Sequence, residues 1–267
     1  MKQNKAVLVT GAAKRLGRDI AIEFARQGWD VAVHYGHSEA QAQATVAEIQ
    51  ALGCRAAAFK ANLAQEDEVN QLFSSVVATF SNLQCLVNSA SLFEYDRANS
   101  DVPLTAKSLQ DHMQVNLTAP MLLSQRMFEY QKNVLRTQDT PGSVVPSVIQ
   151  LLDQKLINLN PDHLSYTLSK VALLHSVEIL AFDFAPHLRV VGLAPGITLL
   201  SGDQTEDGFA KAHTMTPLGR SSTPSDITKA ALFLADSTAI TGTTLYVDGG
   251  QHLAPSSRDV MFKTNQD

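Results

Sequence analysis

The sequence predicts a doubly wound α/β domain, with one parallel sheet and helices on both faces. Three observations predict it. Strand-like and helix-like segments alternate from Lys5 to Gly250, a glycine turn follows the first apolar run at once, and no shift in composition marks a second domain. Residues 1–253 are therefore expected to form one dinucleotide-binding and catalytic domain. Residues 254–267 lack periodicity and are expected to be a terminal arm.

Lys5 to Thr10 is an apolar run bounded by Gly11 and reads as a buried strand. Leu16 to Gln27 carries Ile20, Phe24 and several alanines on one helical face, with Gly28 as its stop. Asp30–Tyr35 is a second strand, and Ser38 is placed to cap a helix that runs to Leu52 and closes at Gly53. Arg55–Ala61 is a weak third strand, Gln65–Phe80 a helix, and Leu83–Ala90 a fourth, central strand. A long helix is expected over about Thr105–Gln131. Ser143–Leu152 forms a fifth strand, awkward because Pro146 cannot donate to a ladder. A helix follows from Ser165, with Leu168, Ala172, Leu173 and Ile179 at helical spacing. Leu188–Pro195 is a sixth strand, Pro224–Ala235 a helix and Thr243–Gly250 a last strand. Gly196–Gly219, the least regular stretch, is long for a plain connection and is expected to be a substrate lid.

With 45% hydrophobic and 18% charged residues and a formal net charge of -5, the chain reads as a globular, cytoplasmic protein. That charge argues against nucleic acid or an anionic membrane as the main partner. No apolar run approaches the ~20 residues of a membrane helix. Cys54 and Cys85 sit in apolar contexts without a C-x-x-C, as expected of reduced, buried thiols. The histidines form no metal-ligand pattern, and no metal is expected.

Two constellations carry chemistry. Tyr166 and Lys170 stand four residues apart in a helix and share a face, with Asp153 thirteen residues before the tyrosine. A cation one turn away is expected to favour the phenolate and draw the tyrosine pKa toward neutrality. The second is the glycine turn Gly11, Arg15, Leu16, Gly17 between the first strand and its helix. It aims backbone N–H groups and a helix dipole at a pyrophosphate. Arg15 replaces the usual middle glycine and can contact phosphate or a substrate ring. The second strand ends in His34-Tyr35-Gly36-His37-Ser38, with no acid to accept from a ribose 2′-hydroxyl. His37, Ser38 and Arg15 suit a 2′-phosphate, which points to NADPH rather than NADH.

Taken together, over about Lys5–Leu253, the chain resembles the short-chain dehydrogenase/reductase family. The matching residues are "TGAAKRLG", "LVNSAS", Asn116 within "HMQVNLTAP", the Tyr166/Lys170 pair, "APG" at Ala194–Gly196 and "VDGG". The resemblance implies that Tyr166 is the general acid, that Lys170 binds the nicotinamide ribose and lowers the tyrosine pKa, and that Asn116 holds a water in a proton relay. It implies further cofactor contacts at Asn62 and Leu63, at Asn88, Ser89, Ala90 and Ser91, and at Pro195, Gly196 and Ile197. It also implies a homotetramer whose dimer face is built from the long helix and the Tyr-Lys helix.

The family normally has a serine where this chain has Asp153. Together with Arg15, the His/Ser phosphate site and Phe93 after the N-x-A-S stretch, this is similar to the pteridine reductase branch, which includes alternative dihydrofolate reductases. That likeness implies a pterin or folate substrate stacked on Phe93 and contacted by Arg15 and Ser91, with Asp153 aiding Tyr166 in proton delivery. Reducing a C=N bond needs hydride at carbon and a proton at nitrogen, and a flat ring favours an aromatic partner. Two other readings stay open. One is a ketone reductase, for instance of a 3-oxoacyl thioester, with Asp153 repelling a developing oxyanion. The other is a catalytically silent NADP(H)-binding protein, against which the complete Asn116–Tyr166–Lys170 set argues.

Overall fold

The computed structural model describes residues 4–136, 145–200 and 204–264. Its strands are β1 (Ala6–Val9), β2 (Asp30–Tyr35), β3 (Ala56–Lys60), β4 (Leu83–Asn88), β5 (Ser147–Leu151), β6 (Arg189–Pro195) and β7 (Thr244–Val247). They form one sheet in the order β3-β2-β1-β4-β5-β6-β7, and every pairing is parallel. The helices are α1 (Arg15–Arg26), α2 (Glu39–Ala51), α3 (Glu66–Thr79), α4 (Ala106–Met113), α5 (Ala119–Arg136), α6 (Leu164–Phe184), α7 (Glu206–Thr214), α8 (Pro224–Asp236) and α9 (Met261–Thr264).

The period-two alternation of side chains divides the core into two layers. Val7, Val9, Val31, Val33 and Ile149 face α1, α2 and α8, where they meet Ile20, Phe24, Ile49 and Ile227. Ala6, Leu8, Leu86, Val148 and Val190 face the opposite way, toward α3, α5 and α6, against Val69, Phe73, Leu123, Met127 and Leu180. The chain reverses its direction of winding between β1 and β4, and the crevice beyond the carboxyl ends of the strands at that point is where such sheets bind ligands.

Several expectations need correction. The long helix of Thr105–Gln131 is two helices, α4 and α5, joined by a π-helical turn at Gln114–Thr118 that contains Asn116. Such an inserted turn re-aims the side chains it carries. The fifth strand begins at Ser147, so Pro146 sits at its mouth, where only its carbonyl is used, by Arg189 N–H at 2.9 Å. The Ser143 end of that expected strand lies outside the described residues. Gly196–Gly219 is not irregular throughout, because Thr205 caps α7 by accepting from Gly208 N–H at 3.0 Å. On α6, Leu173 packs inward as expected, but Leu168 and Ile179 are exposed, and Phe182 is 90% exposed. Among the described residues nothing covers these apolar side chains on the outer face of α6.

The C-terminal segment is not a free arm. Arg258 Nε donates to both carboxylate oxygens of buried Asp162 at 3.1 and 2.8 Å, and Asp259 N–H donates to the same carboxylate at 2.8 Å. Phe262 packs on Tyr95 and His163. The segment is laid back over the entrance to α6. No described helix is long and apolar enough to cross a membrane.

Candidate active site

The glycine turn is built by two close approaches. Gly11 has φ +68°, and a Cβ on Gly17 would lie 2.4 Å from the Gly11 carbonyl oxygen, so α1 can begin this close to β1 only with glycine at both positions. His34 pins the turn. Its Nδ1 accepts from Gly11 N–H at 3.0 Å, so its Nε2 carries the hydrogen and donates to Ala61 O at 3.1 Å. Burial pushes the His34 pKa down to about 4, which keeps the ring neutral in this tautomer. His34, near the end of β2 as expected, is therefore a buried strut.

From this turn a groove of about 890 Å³ runs over the strand ends. Gly11, Arg15, Leu16, Gly17, His37, Asn62, Leu63, Ser89, Ala90, Ser91, Tyr166, Lys170 and Pro195 line it, as expected from the sequence. Four expected members do not, of which Gly196 and Ile197 line the adjoining cavity instead. Ser38 starts α2 without a side-chain capping bond and lies off the groove. Asn88 is buried within the sheet, where its amide donates to Gln150 Oε1 at 3.0 Å, and it does not line the groove. Lys14 and Lys60 do line it. No family position singled them out, but cations at the N-cap of α1 and the end of β3 line the groove in which a 2′-phosphate is expected. The glycine cradle, the length of the groove and these cations fit a phosphorylated dinucleotide.

A second cavity, of about 270 Å³, adjoins the groove. Arg15, Phe93, Asp153, Tyr166, Gly196 and Ile197 line it on one side, and Arg258, Asp259, Val260 and Met261 of the C-terminal segment line it on the other. Arg15 begins α1 with φ 53° and donates to Leu200 O at 2.6 Å, so it bridges the glycine turn and the loop after β6. Phe93 is 39% exposed, meets the Tyr166 ring edge-on at 4.8 Å and stacks on His163 at 4.1 Å.

Tyr166 Oη donates to Asp153 Oδ2 at 2.9 Å, and Lys155 N–H donates to Asp153 Oδ1 at 2.9 Å. Burial pushes the Asp153 carboxyl above the usual carboxylate range, although nearby Lys155 opposes the shift. The Tyr166 phenol is pushed well above its ordinary value, first by burial and then by the Asp153 carboxylate. This corrects the expectation that Lys170 draws the tyrosine down. Lys170 Nζ is committed to Leu151 O at 2.7 Å, and burial pushes its own pKa down to about 8. With both members of the Asp153–Tyr166 pair pushed up, each is favoured in its protonated form, an arrangement suited to donating a proton.

Asn116 sits in the π-helical turn. Its side chain is fully used by protein groups. Oδ1 accepts from Leu92 N–H at 2.7 Å and from Ser91 at 3.2 Å, while Nδ2 donates to Leu92 O at 2.9 Å and Ser169 Oγ at 3.0 Å. An amide has two donor and two acceptor places, so the side chain has none left to hold a water. It fixes the Ser91–Leu92 turn, which aims Phe93. Cys54 and Cys85 are buried and unpaired, and no metal-binding cluster occurs among the described residues.

The family model described as Enoyl-(Acyl carrier protein) reductase, of the short-chain dehydrogenase type, matches residues 11–252. The 3-oxoacyl-[acyl-carrier-protein] reductase FabG of Staphylococcus aureus is 31% identical over 95% of this chain and 100% of its own length. The L-rhamnose 1-dehydrogenase (NAD(P)(+)) of a Sphingomonas species is also 31% identical, over 94% of this chain and 97% of its own. Among solved structures, FolM alternative dihydrofolate reductase 1 from Brucella canis, complexed with NADP, superposes with a TM-score of 0.85. It is 32% identical and covers 96% of this chain and 97% of its own. A glycine cradle at the switch point, a Tyr-Lys helix facing it and these matches over nearly the whole length lead to one assignment: the chain belongs to the short-chain dehydrogenase/reductase family.

Proposed function

We propose that the protein is an NADPH-dependent reductase of dihydropterins or dihydrofolate. The observation that carries the reading is the 2.9 Å hydrogen bond from Tyr166 to Asp153. A carboxylic acid and a phenol, both pushed toward their protonated forms, face the cavity that Phe93 walls. NADPH, when bound, supplies the hydride. Tyr166 and Asp153 hold the proton that the ring nitrogen takes up, so that C=N becomes CH–NH with charge balanced. Phe93 offers a flat apolar face to a flat ring. Lys14 and Lys60 favour the phosphorylated cofactor by charge. The likeness to an NADP complex of an alternative dihydrofolate reductase supports both cofactor and substrate class.

A second reading, reduction of a 3-oxoacyl thioester, is supported by the FabG relative. The raised proton affinity of Asp153 weakens the charge objection to it, because a protonated carboxyl can donate to a carbonyl oxygen. Purified protein is assayed for NADPH oxidation with a dihydropterin, dihydrofolate and an acetoacetyl thioester, and again with NADH. Turnover of the dihydropterin with NADPH is expected, and turnover of the thioester alone refutes the first reading. Asp153→Ala and Tyr166→Phe are each expected to remove most turnover while NADPH still binds. Wild-type rates in Asp153→Ala refute this proton path.

A further inference from the structure

We propose that Asp259, carried on the C-terminal segment, is a positioning residue for proton delivery: it takes up the charge of Lys155, which otherwise falls on Asp153. The proposal rests on the reading of Asp153 and Tyr166 as the proton source.

Lys155 lies two residues after Asp153, and its side chain is 4% exposed. Its main-chain N–H holds one oxygen of Asp153, while its ammonium turns away to Asp162 O at 3.0 Å and Asp259 Oδ2 at 3.4 Å. A buried ammonium this near a carboxylate draws it toward the charged form unless another anion shares the ammonium. Asp259 is that anion, and it is brought there by tail docking. Its own N–H and the neighbouring Arg258 are both bound to buried Asp162. The arrangement makes the tail part of the proton donor as well as a wall of the cavity.

The groups that act on Asp153 come from every element around it. Tyr166 donates to it from α6, and Lys170 couples to it from one turn further on. Lys155 lies on the turn that follows β5, and Asp259 lies on the tail. Arg15 and Arg258 share the cavity. Of the groups that act electrostatically on Asp153, Lys155 and Asp259 form a pair of opposite sign, so neutralising each one has an opposite effect. Without Asp259 the ammonium of Lys155 is uncompensated and Asp153 loses its proton at lower pH. Without the ammonium, Asp259 is uncompensated and Asp153 keeps its proton to higher pH.

The test uses full-length Asp259→Asn, Lys155→Met and the double variant. The main-chain bonds that dock the tail and hold Asp153 survive in all three, and asparagine retains the Oδ1 acceptor used by Met261 N–H. The titration of Asp153 is followed by its carboxyl carbon resonance in aspartate-labelled protein, which needs no substrate, and by the alkaline limb of the kcat/KM profile. Asp259→Asn is expected to move both to lower pH by roughly half a unit or more and Lys155→Met to move both higher, with the double variant close to wild type. A purely structural role would change stability or KM and leave the titration in place. Shifts of the same sign, or no shift in either single variant, overturn the proposal. A normal Asp153 titration response in protein that turns over no pterin would instead refute the proposed substrate and leave this inference standing.

Discussion

Replacing His34 with leucine tests whether one buried imidazole holds the cofactor turn in place. In the folded protein its pKa is pushed down to about 4 by burial, against 6.5 when exposed. A group depressed in this way gives stability that is fully present above the unfolded value and is lost as pH falls toward the folded one. That gap corresponds to about 3 kcal/mol, lost between pH 6.5 and about 4. The leucine variant loses both hydrogen bonds at once and leaves Gly11 N–H without its ring acceptor and Ala61 O without its ring donor. At neutral pH that costs roughly 2–6 kcal/mol, from ~1–3 for each abandoned group. Urea unfolding is measured for both proteins at steps from pH 7.5 to 4. Carboxylates and His163 titrate in both, so the difference between the proteins isolates His34. That difference is expected to shrink by about 3 kcal/mol across the window, and NADPH binding by the variant is expected to be weaker at pH 7. A constant difference from pH 7.5 to 4 refutes the assignment of His34 as a neutral strut.

Gly17→Ala places a Cβ 2.4 Å from the Gly11 carbonyl, which is backbone and cannot swing aside. A loss of about 1–3 kcal/mol in thermal unfolding is expected, with a weakened NADPH affinity by fluorescence titration. The apolar face of α6 predicts self-association. Changing Ile179 and Phe182, which are 66% and 90% exposed, to serine is expected to lower the sedimentation coefficient without loss of helix content by circular dichroism. An unchanged sedimentation coefficient would show that this face is not an assembly surface.

The fold was legible because its signals are local and repeated. Most strands of the sheet are short apolar runs bounded by turn residues, and they alternate with helix-length segments, so an error of a few residues at a boundary does not change the topology. The cofactor groove was legible for the same reason, since Gly11, Gly17, Tyr166 and Lys170 act through spacing along one element or one turn. Where expectation failed, the deciding partner is far away in the sequence. Asn116 was assigned a water by the family resemblance, and spacing along its helix gave no sign that a π turn would aim its side chain at Leu92, 24 residues earlier. Tyr166 was expected to be lowered by the cation four residues on, but that ammonium is bound to Leu151, and burial, with the carboxylate thirteen residues back, raises the phenol. The tail looked unstructured because it has no periodicity of its own, and it takes its order from Asp162, 96 residues away. Periodicity reports which face of an element is buried, whereas pKa values depend on which charge ends up beside which. For this reason the Asp153–Tyr166 pair could be picked out from the sequence, but its electrostatic setting is visible only where Lys155, Asp162 and Asp259 stand together in space.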